Sequence, residues 1–366
     1  MAPLSAIIVG GGVSGLALSG MLTRQGADVT VLERAQRRRD GLAITLWPNA
    51  LLALRHSGGE DVYEAVTKVC EPIGAARMFT SRGQVAGIDL GFLVDRFGLS
   101  GQGVTRAELL DALAGTAGVD IRYGCEVTGV DPRGTVTLAG GETLRADVVI
   151  GADGVGSAVR RALLPPGTGD GRENPLHSWQ GVVDRGDWDS PGADFFFTGR
   201  GTYGVMPLTG NRAYWFVDGS PDAPPTGAGW PAVISALVDA TPADRIFPGE
   251  AWDRRPARGW GQGRVTLLGD AAHPMLPTIG QGACMALEDA GVLAARLAAI
   301  SDPAAALRSY EQDRYPRVHK TFKRARGMLR LRSMPTPVRD RVLASMPGRA
   351  MTHLFTAPTI PIPEFR

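Results

Sequence analysis

Short apolar runs alternating with glycine turns and amphipathic stretches open the chain. Residues 6–9 are uninterruptedly apolar, which predicts a strand buried on both faces, and a glycine turn at residues 10–15 follows. A helix to about residue 24 and a strand at 29–33 come next. This strand, turn, helix, strand order predicts the start of a doubly wound α/β sheet. A loop at 41–48 leads to a predicted helix at 49–56. Thr105, with Glu108 three positions on, reads as a capping box ahead of the apolar stripe Leu109, Leu110 and Leu113. A short strand near 120–122, a hairpin through Gly140 and Gly141 and a buried strand at 147–150 follow.

From about residue 177 the pattern changes. Runs at 179–183, 195–197, 203–206 and 213–217 are rich in β-branched and aromatic residues and are separated by Gly, Pro and Asp, so they predict a second, antiparallel sheet. Residues 220–231 read as a Pro/Gly loop and 230–240 as a helix, and the chain rejoins the first sheet at Arg264. The first domain is therefore expected to be discontinuous, built from residues 1–72, 105–170 and 261–300, with 73–104 and 171–260 forming the second. Residues 301–366 supply C-terminal helices and a Pro-rich tail. The helix expected over 302–332 is basic towards its end, at Lys320, Lys323, Arg324, Arg326, Arg330 and Arg332.

Composition narrows the function classes. The chain has 366 residues and a formal net charge of +2, so no global field points to nucleic acid or a membrane surface. Cys70, Cys125 and Cys284 are odd in number and widely spaced, which fits neither a disulfide framework nor a metal site and points to a reducing cytoplasm. No signal peptide or bilayer-spanning stretch is expected.

Three glycine-rich turns carry the chemistry. In the first, Gly10, Gly12 and Gly15 follow a strand and open a helix, and Glu33 stands at the end of the next strand, as a dinucleotide fingerprint requires. Gly10 permits the tight turn, Gly12 lets backbone amides approach a pyrophosphate, and Gly15 allows close helix packing. The second is Gly151-Ala152-Asp153-Gly154, followed by Ser157 and Arg160; read alone, it is as well explained by a turn and a solvated arginine. The third runs from Leu267 through Gly269, Asp270, His273, Pro277, Gly280, Gln281 and Gly282 into a helix at Ala283. Asp270 there offers an acceptor-only side chain to a ligand's hydroxyls. Arg106 falls in the first turn of its helix, where the macrodipole disfavours a cation, so an anion nearby would resolve the conflict.

The three turns, in this order over residues 6–300, resemble the single-component FAD-dependent aromatic monooxygenases, the family of para-hydroxybenzoate and salicylate hydroxylases. The resemblance implies a Rossmann-like FAD-binding domain with an inserted antiparallel β-sheet substrate domain. It assigns FAD to Gly10, Gly12, Val13, Ser14, Gly15, Glu33, Arg34, Arg106, Asp153, Gly154, Gly269, Asp270, Pro277, Gly280, Gln281, Gly282 and Ala283. Ala43 replaces a glycine that many relatives carry, and His273 lies where the family's histidine is mostly structural. With no second fingerprint, NADH or NADPH would bind transiently. The implied cycle is reduction of FAD, reaction with O2 to a flavin C4a-hydroperoxide, and oxygen transfer to an electron-rich aromatic or polycyclic small molecule, without a metal.

The substrate pocket is expected between the flavin and the second sheet. Tyr214 and Phe216 share one face of their strand and Trp215 and Val217 the other. Leu46, Trp47, Tyr203, Met206, Tyr214, Phe216 and Pro277 are its candidates. The competing readings are an FAD-dependent oxidase or dehydrogenase of the same fold, an NAD-dependent dehydrogenase using the first turn alone, and a membrane-contacting C-terminal helix presenting Met328, Leu329 and Leu331. A cytoplasmic monomer or homodimer is expected.

Overall fold

A computed structural model of the protein describes residues 3–36, 43–165, 173–199, 201–218 and 230–346, with scattered positions between 352 and 365. Residues 41–42, 220–229 and most of the Pro-rich tail lie outside the described residues.

The apolar run at the N-terminus becomes the central strand, Ser5–Val9, of a five-stranded parallel sheet. The sheet order is Val265–Leu267, Val148–Gly151, Ser5–Val9, Asp28–Glu33 and Asp120–Tyr123. The helices Val13–Arg24 and Gly282–Ala299 pack against each other, and with the sheet they enclose the principal core. Register decides the site. Val9 pairs with Gly151, and Gly151 with Leu267, so three adjacent strands end side by side and release their glycine turns at one edge. Ligands of open α/β sheets bind in the crevice at such carboxyl ends.

The second sheet has seven strands, in the order Phe247–Asp253, Glu173–Asp184, Arg212–Asp218, Thr202–Leu208, Ala193–Phe197, Ala75–Thr80 and Gly83–Asp89. It is not wholly antiparallel: Ala193–Phe197 runs parallel to Ala75–Thr80, because the latter arrives from a distant part of the chain and not through a hairpin. Period-two alternation divides its faces. Tyr203, Val205, Trp215 and Val217 pack outward under the helix Ala232–Ala240. Met206, Leu208 and Phe197 pack inward on Leu276 and Ile279 of the third turn and on Ala325 and Met328 of the helix Pro303–Arg332.

A three-stranded sheet of Ala43–Leu46, Gly101–Thr105 and Glu71–Ile73 sits at the junction. The helix expected at 49–56 divides into Pro48–Ala53 and a π-helical turn, Leu54–Gly58. The membrane-contacting reading of the C-terminal helix fails: Met328 and Leu331 are 3% and 8% exposed, inside the core between the sheets, and Leu329 packs against it. Among the described residues no helix is long and apolar enough to cross a membrane, and no cluster of side chains could hold a metal ion.

Candidate active site

The first turn is built by close approach. Gly10 has φ of 111°, and a Cβ there would lie 2.4 Å from the Ala152 carbonyl oxygen, so the first turn is pressed against the second. A Cβ at Gly15 would come within 2.0 Å of the Gly10 oxygen, which is how the helix Val13–Arg24 seats on its strand. Gly12 differs. It caps that helix without a side-chain bond and nothing lies within 4 Å of an added Cβ, so this helix start adjoins open space. Glu33 is held in place by its own loop: Oε2 accepts from the Gly11 amide and Oε1 from the Ala35 amide, both at 2.8 Å. Arg34 is exposed beside it.

In the second turn, Asp153 is occupied within the turn. Its carboxylate accepts from the Ser157 hydroxyl and from the amides of Ala158 and Val159 at 2.7 and 3.2 Å. Burial pushes this carboxyl up, partly offset by those bonds. The Asp153 carboxylate is thus fixed within its own turn, with Gly154, at φ 77°, completing the bend. Arg160 is no solvated residue. It is 2% exposed and donates to the Ala271 and Ala272 carbonyls at 3.4 and 3.1 Å, tying the second turn to the third.

The third turn is held at nearly every position. The Gly269 amide donates to Asp289 Oδ2 at 3.2 Å, and His273 Nε2 lies 2.6 Å from the same oxygen. The amides of Ala272 and His273 return to the Gly269 carbonyl. Asp270 is the exposed residue of 269–273, with the other four buried. Burial pushes its carboxyl up, and the charges of His273 and Arg106 pull against that shift. Arg106 is the exposed first residue of the helix Arg106–Ala117. Its cap is the expected box: Glu108 N donates to Thr105 Oγ1 at 3.2 Å, and Thr105 N to Glu108 Oε2 at 3.3 Å. The other Glu108 oxygen accepts from Arg212 at 2.6 Å, which anchors the seven-stranded sheet to this helix.

Pro277 is exposed and opens a 3-10 turn, Pro277–Ile279, after which Gly280, Gln281 and Gly282 lead into the helix ahead of Ala283. An added Cβ at Gly282 would meet nothing within 4 Å, so this helix start also adjoins open space. Gln281 is fully buried, its Oε1 accepting from Asn49 Nδ2 at 3.2 Å. Met206, Tyr214 and Trp47 share one apolar cluster with Leu276 and Ile279 of this loop. Phe216 follows on the same face, 6.2 Å from Tyr214 between ring centroids. The Tyr214 hydroxyl donates to Gln180 Oε1, and burial keeps the phenol neutral by pushing its pKa up.

Two of the expected pocket residues lie outside this cluster. Tyr203 is 1% exposed on the opposite face, 5.2 Å from Trp230, because it is odd in the alternation that sends Met206 inward. Leu46 is fully buried in the principal core. Sequence reasoning missed Asn49, Gln180 and Arg314. The adjacent acids Glu288 and Asp289 in an otherwise apolar helix were a signal for the last, since buried carboxylates need a cationic partner.

The crevice fits FAD: helix starts beside open space for phosphates, an exposed carboxylate at Asp270 for ribityl hydroxyls, and an exposed Arg106 cation nearby. Comparison with known proteins agrees. The family described as "FAD binding domain" matches residues 4–325. The chain is 35% identical over 343 residues to the aurachin C monooxygenase/isomerase of Stigmatella aurantiaca, covering 86% of each chain. It is 33% identical over 347 residues to an FAD-dependent urate hydroxylase of Klebsiella pneumoniae, covering 88% of this chain and 89% of the relative. The crystal structure of Klebsiella pneumoniae HpxO complexed with FAD and uric acid superposes with a TM-score of 0.88 at 28% identity, covering 97% of this chain and 96% of that one. With its fold, its three turns and these relatives in agreement, the chain belongs to the FAD-dependent aromatic monooxygenases of the para-hydroxybenzoate hydroxylase class.

Proposed function

We propose that the enzyme takes electrons from NADH or NADPH and inserts one oxygen atom of O2 into a neutral, electron-rich aromatic or polycyclic compound. The observation that carries this reading is the junction of two unlike surfaces. On one side is the crevice with Asp270, Arg106 and the open helix starts. On the other is the inner sheet face with Met206, Tyr214 and Phe216, whose polar centre is the uncharged Tyr214–Gln180 pair.

In this reading the FAD pyrophosphate lies at Gly10, Gly12, Val13, Ser14 and Gly15, the adenosine ribose at Glu33 beside Arg34, the ribityl chain at Asp270 and Arg106, and the ring along residues 277–283. The substrate ring packs on Met206, Tyr214 and Phe216, with Trp47 and Pro277 at its margin. The domain built from 73–104 and 171–260 covers that ring and excludes water. Charged groups stand at the ends of the inner face, Arg212 with Glu108 and Asp218 with Arg332, so its middle favours an uncharged ring over a carboxylate. Relatives named for urate, 3-amino-4-hydroxybenzoate and 6-hydroxynicotinate bracket the ring sizes such a face could take. We place the enzyme in the cytoplasm as a monomer or homodimer, in keeping with three free cysteines.

FAD supplies the electron transfer and oxygen activation; the chain supplies binding, orientation and dryness. The test is a screen of neutral heteroaromatic and polycyclic compounds and benzoates, following NAD(P)H oxidation and peroxide release under 18O2. Substrate-dependent turnover with label in a neutral product is expected. Product oxygen that carries no label, and so comes from water, or turnover yielding peroxide alone with every compound, would overturn the reading and favour an oxidase.

A further inference from the structure

The helix Pro303–Arg332 lies outside all three turns, yet one of its residues reaches both ends of the third. Arg314 is 1% exposed. Its Nε donates to Asp289 Oδ1 at 2.6 Å and its Nη1 to Glu288 Oε2 at 2.8 Å. From Asp289 the connection continues through Oδ2 to the Gly269 amide and to His273, the two ends of the turn that presents Asp270. From Glu288 it continues through Oε1 to Asn49 Nδ2 at 3.0 Å, and Asn49 Nδ2 also donates to Gln281 Oε1, immediately before the helix Gly282–Ala299.

Glu288 and Asp289 are consecutive residues of a helix, so their side chains leave its axis about 100° apart. A point charge would favour one of them; a planar guanidinium, with donors in a fixed fork, meets both. Arg317 also binds Glu288, through Nε at 2.6 Å and through Nη2. We propose that Arg314 is a positioning residue for FAD, holding Asp289 and joining it to Glu288 so that the turn at 269–273 and Gln281 flank the cofactor at a fixed spacing. The proposal rests on the assignment of FAD to this crevice. Without the guanidinium, Asp289 loses the partner that sets its rotamer, and the Gly269 amide and His273 lose a fixed acceptor. Asp270 then drifts. Binding constellations need their side chains held to within about 0.5 Å by such outer contacts.

The experiment compares Arg314→Met, Arg314→Lys and Leu307→Ala. Leu307 is a fully buried core residue of the same helix and serves as a control for loss of stability alone. Each protein is freed of flavin and titrated with FAD by fluorescence quenching, the circular dichroism of the bound flavin is recorded, and the melting temperature of the flavin-free form is measured. Arg314→Met should weaken FAD binding at least about tenfold, the scale of one lost charged hydrogen bond, and alter the flavin dichroism. Arg314→Lys should fall between it and the wild type. Leu307→Ala should lower the melting temperature and leave FAD affinity within about twofold.

Equal melting losses in Arg314→Met and Leu307→Ala with wild-type FAD affinity and dichroism in both would overturn the proposal. If Arg314→Met does not fold, Arg314→Lys decides by the same readouts, and wild-type values for it also overturn the proposal. A wild-type protein that takes up no FAD would instead sink the cofactor assignment, a separate failure.

Discussion

The two walls of the proposed active site are built on opposite principles. Behind the cofactor crevice lies a dry ionic brace in which His273, Glu288, Asp289 and Arg314 are each no more than 1% exposed. Across from it, the middle of the inner sheet face is uncharged and held by apolar packing around the Tyr214–Gln180 hydrogen bond. The difference follows from what each wall must do. FAD is large and invariant, so backbone held by directional bonds costs no versatility. A substrate ring is recognised by shape and area, where directional bonds would reject near relatives.

The strongest way to break this comparison is Asp289→Ala. It leaves Arg314 without one of its two carboxylates and the Gly269 amide without an acceptor, so unfolding free energy should fall by about 3–5 kcal/mol, as when one partner of a buried ion pair is removed. Chemical denaturation measures it, and a loss below about 1 kcal/mol would show that the brace is dispensable.

Acid tests the same wall more gently. Burial pushes the Asp289 carboxyl up, but His273 and Arg314 outweigh that and bring it from 3.8 to about 2. A depressed carboxylate contributes stability that is fully present above its unfolded value and is lost as pH falls through the folded one. Stability on the order of 2 kcal/mol should therefore disappear between about pH 4 and pH 2. In Asp289→Asn that part of the pH dependence should be missing from the thermal midpoints.

On the neutral wall, Tyr214→Phe removes the donor to Gln180 and leaves a buried acceptor unmet, at about 1–2 kcal/mol. Steady-state kinetics should show KM raised several-fold with FAD affinity unchanged. Equal damage to both constants would mean that the walls are not separable. The smallest effect is expected from Tyr203→Phe, which lies on the far face: KM and kcat should stay within about twofold of wild type, and a larger rise in KM would put the pocket on the wrong side of the sheet.

Much of the cofactor wall was legible in the chain because its signals are local. Gly10 and Gly15 sit at fixed spacing after an apolar strand, and the Thr105–Glu108 box announces its own helix. Asp153 shows where local reading falls short. Its position within a turn was evident, but the bonds from its carboxylate to the following helix depend on the angle at which that helix leaves the turn. Tyr203 and Met206 show the same limit in a strand. An alternating pattern puts them on opposite faces, but the pattern alone does not tell which face meets the flavin loop.

The sequence by itself determined the strand-and-turn order and the three glycine turns, and through their resemblance to a known family the flavin cofactor, because these turns depend on residues close together in the chain. Tertiary structure decided what holds the turns together. Val9, Gly151 and Leu267 become neighbours only through sheet register, and Arg314 meets Asp289, 25 residues before it, only because two consecutive helices pack side by side. Buried charges are tolerated only where a partner arrives, and no local pattern names a partner that folding delivers from elsewhere.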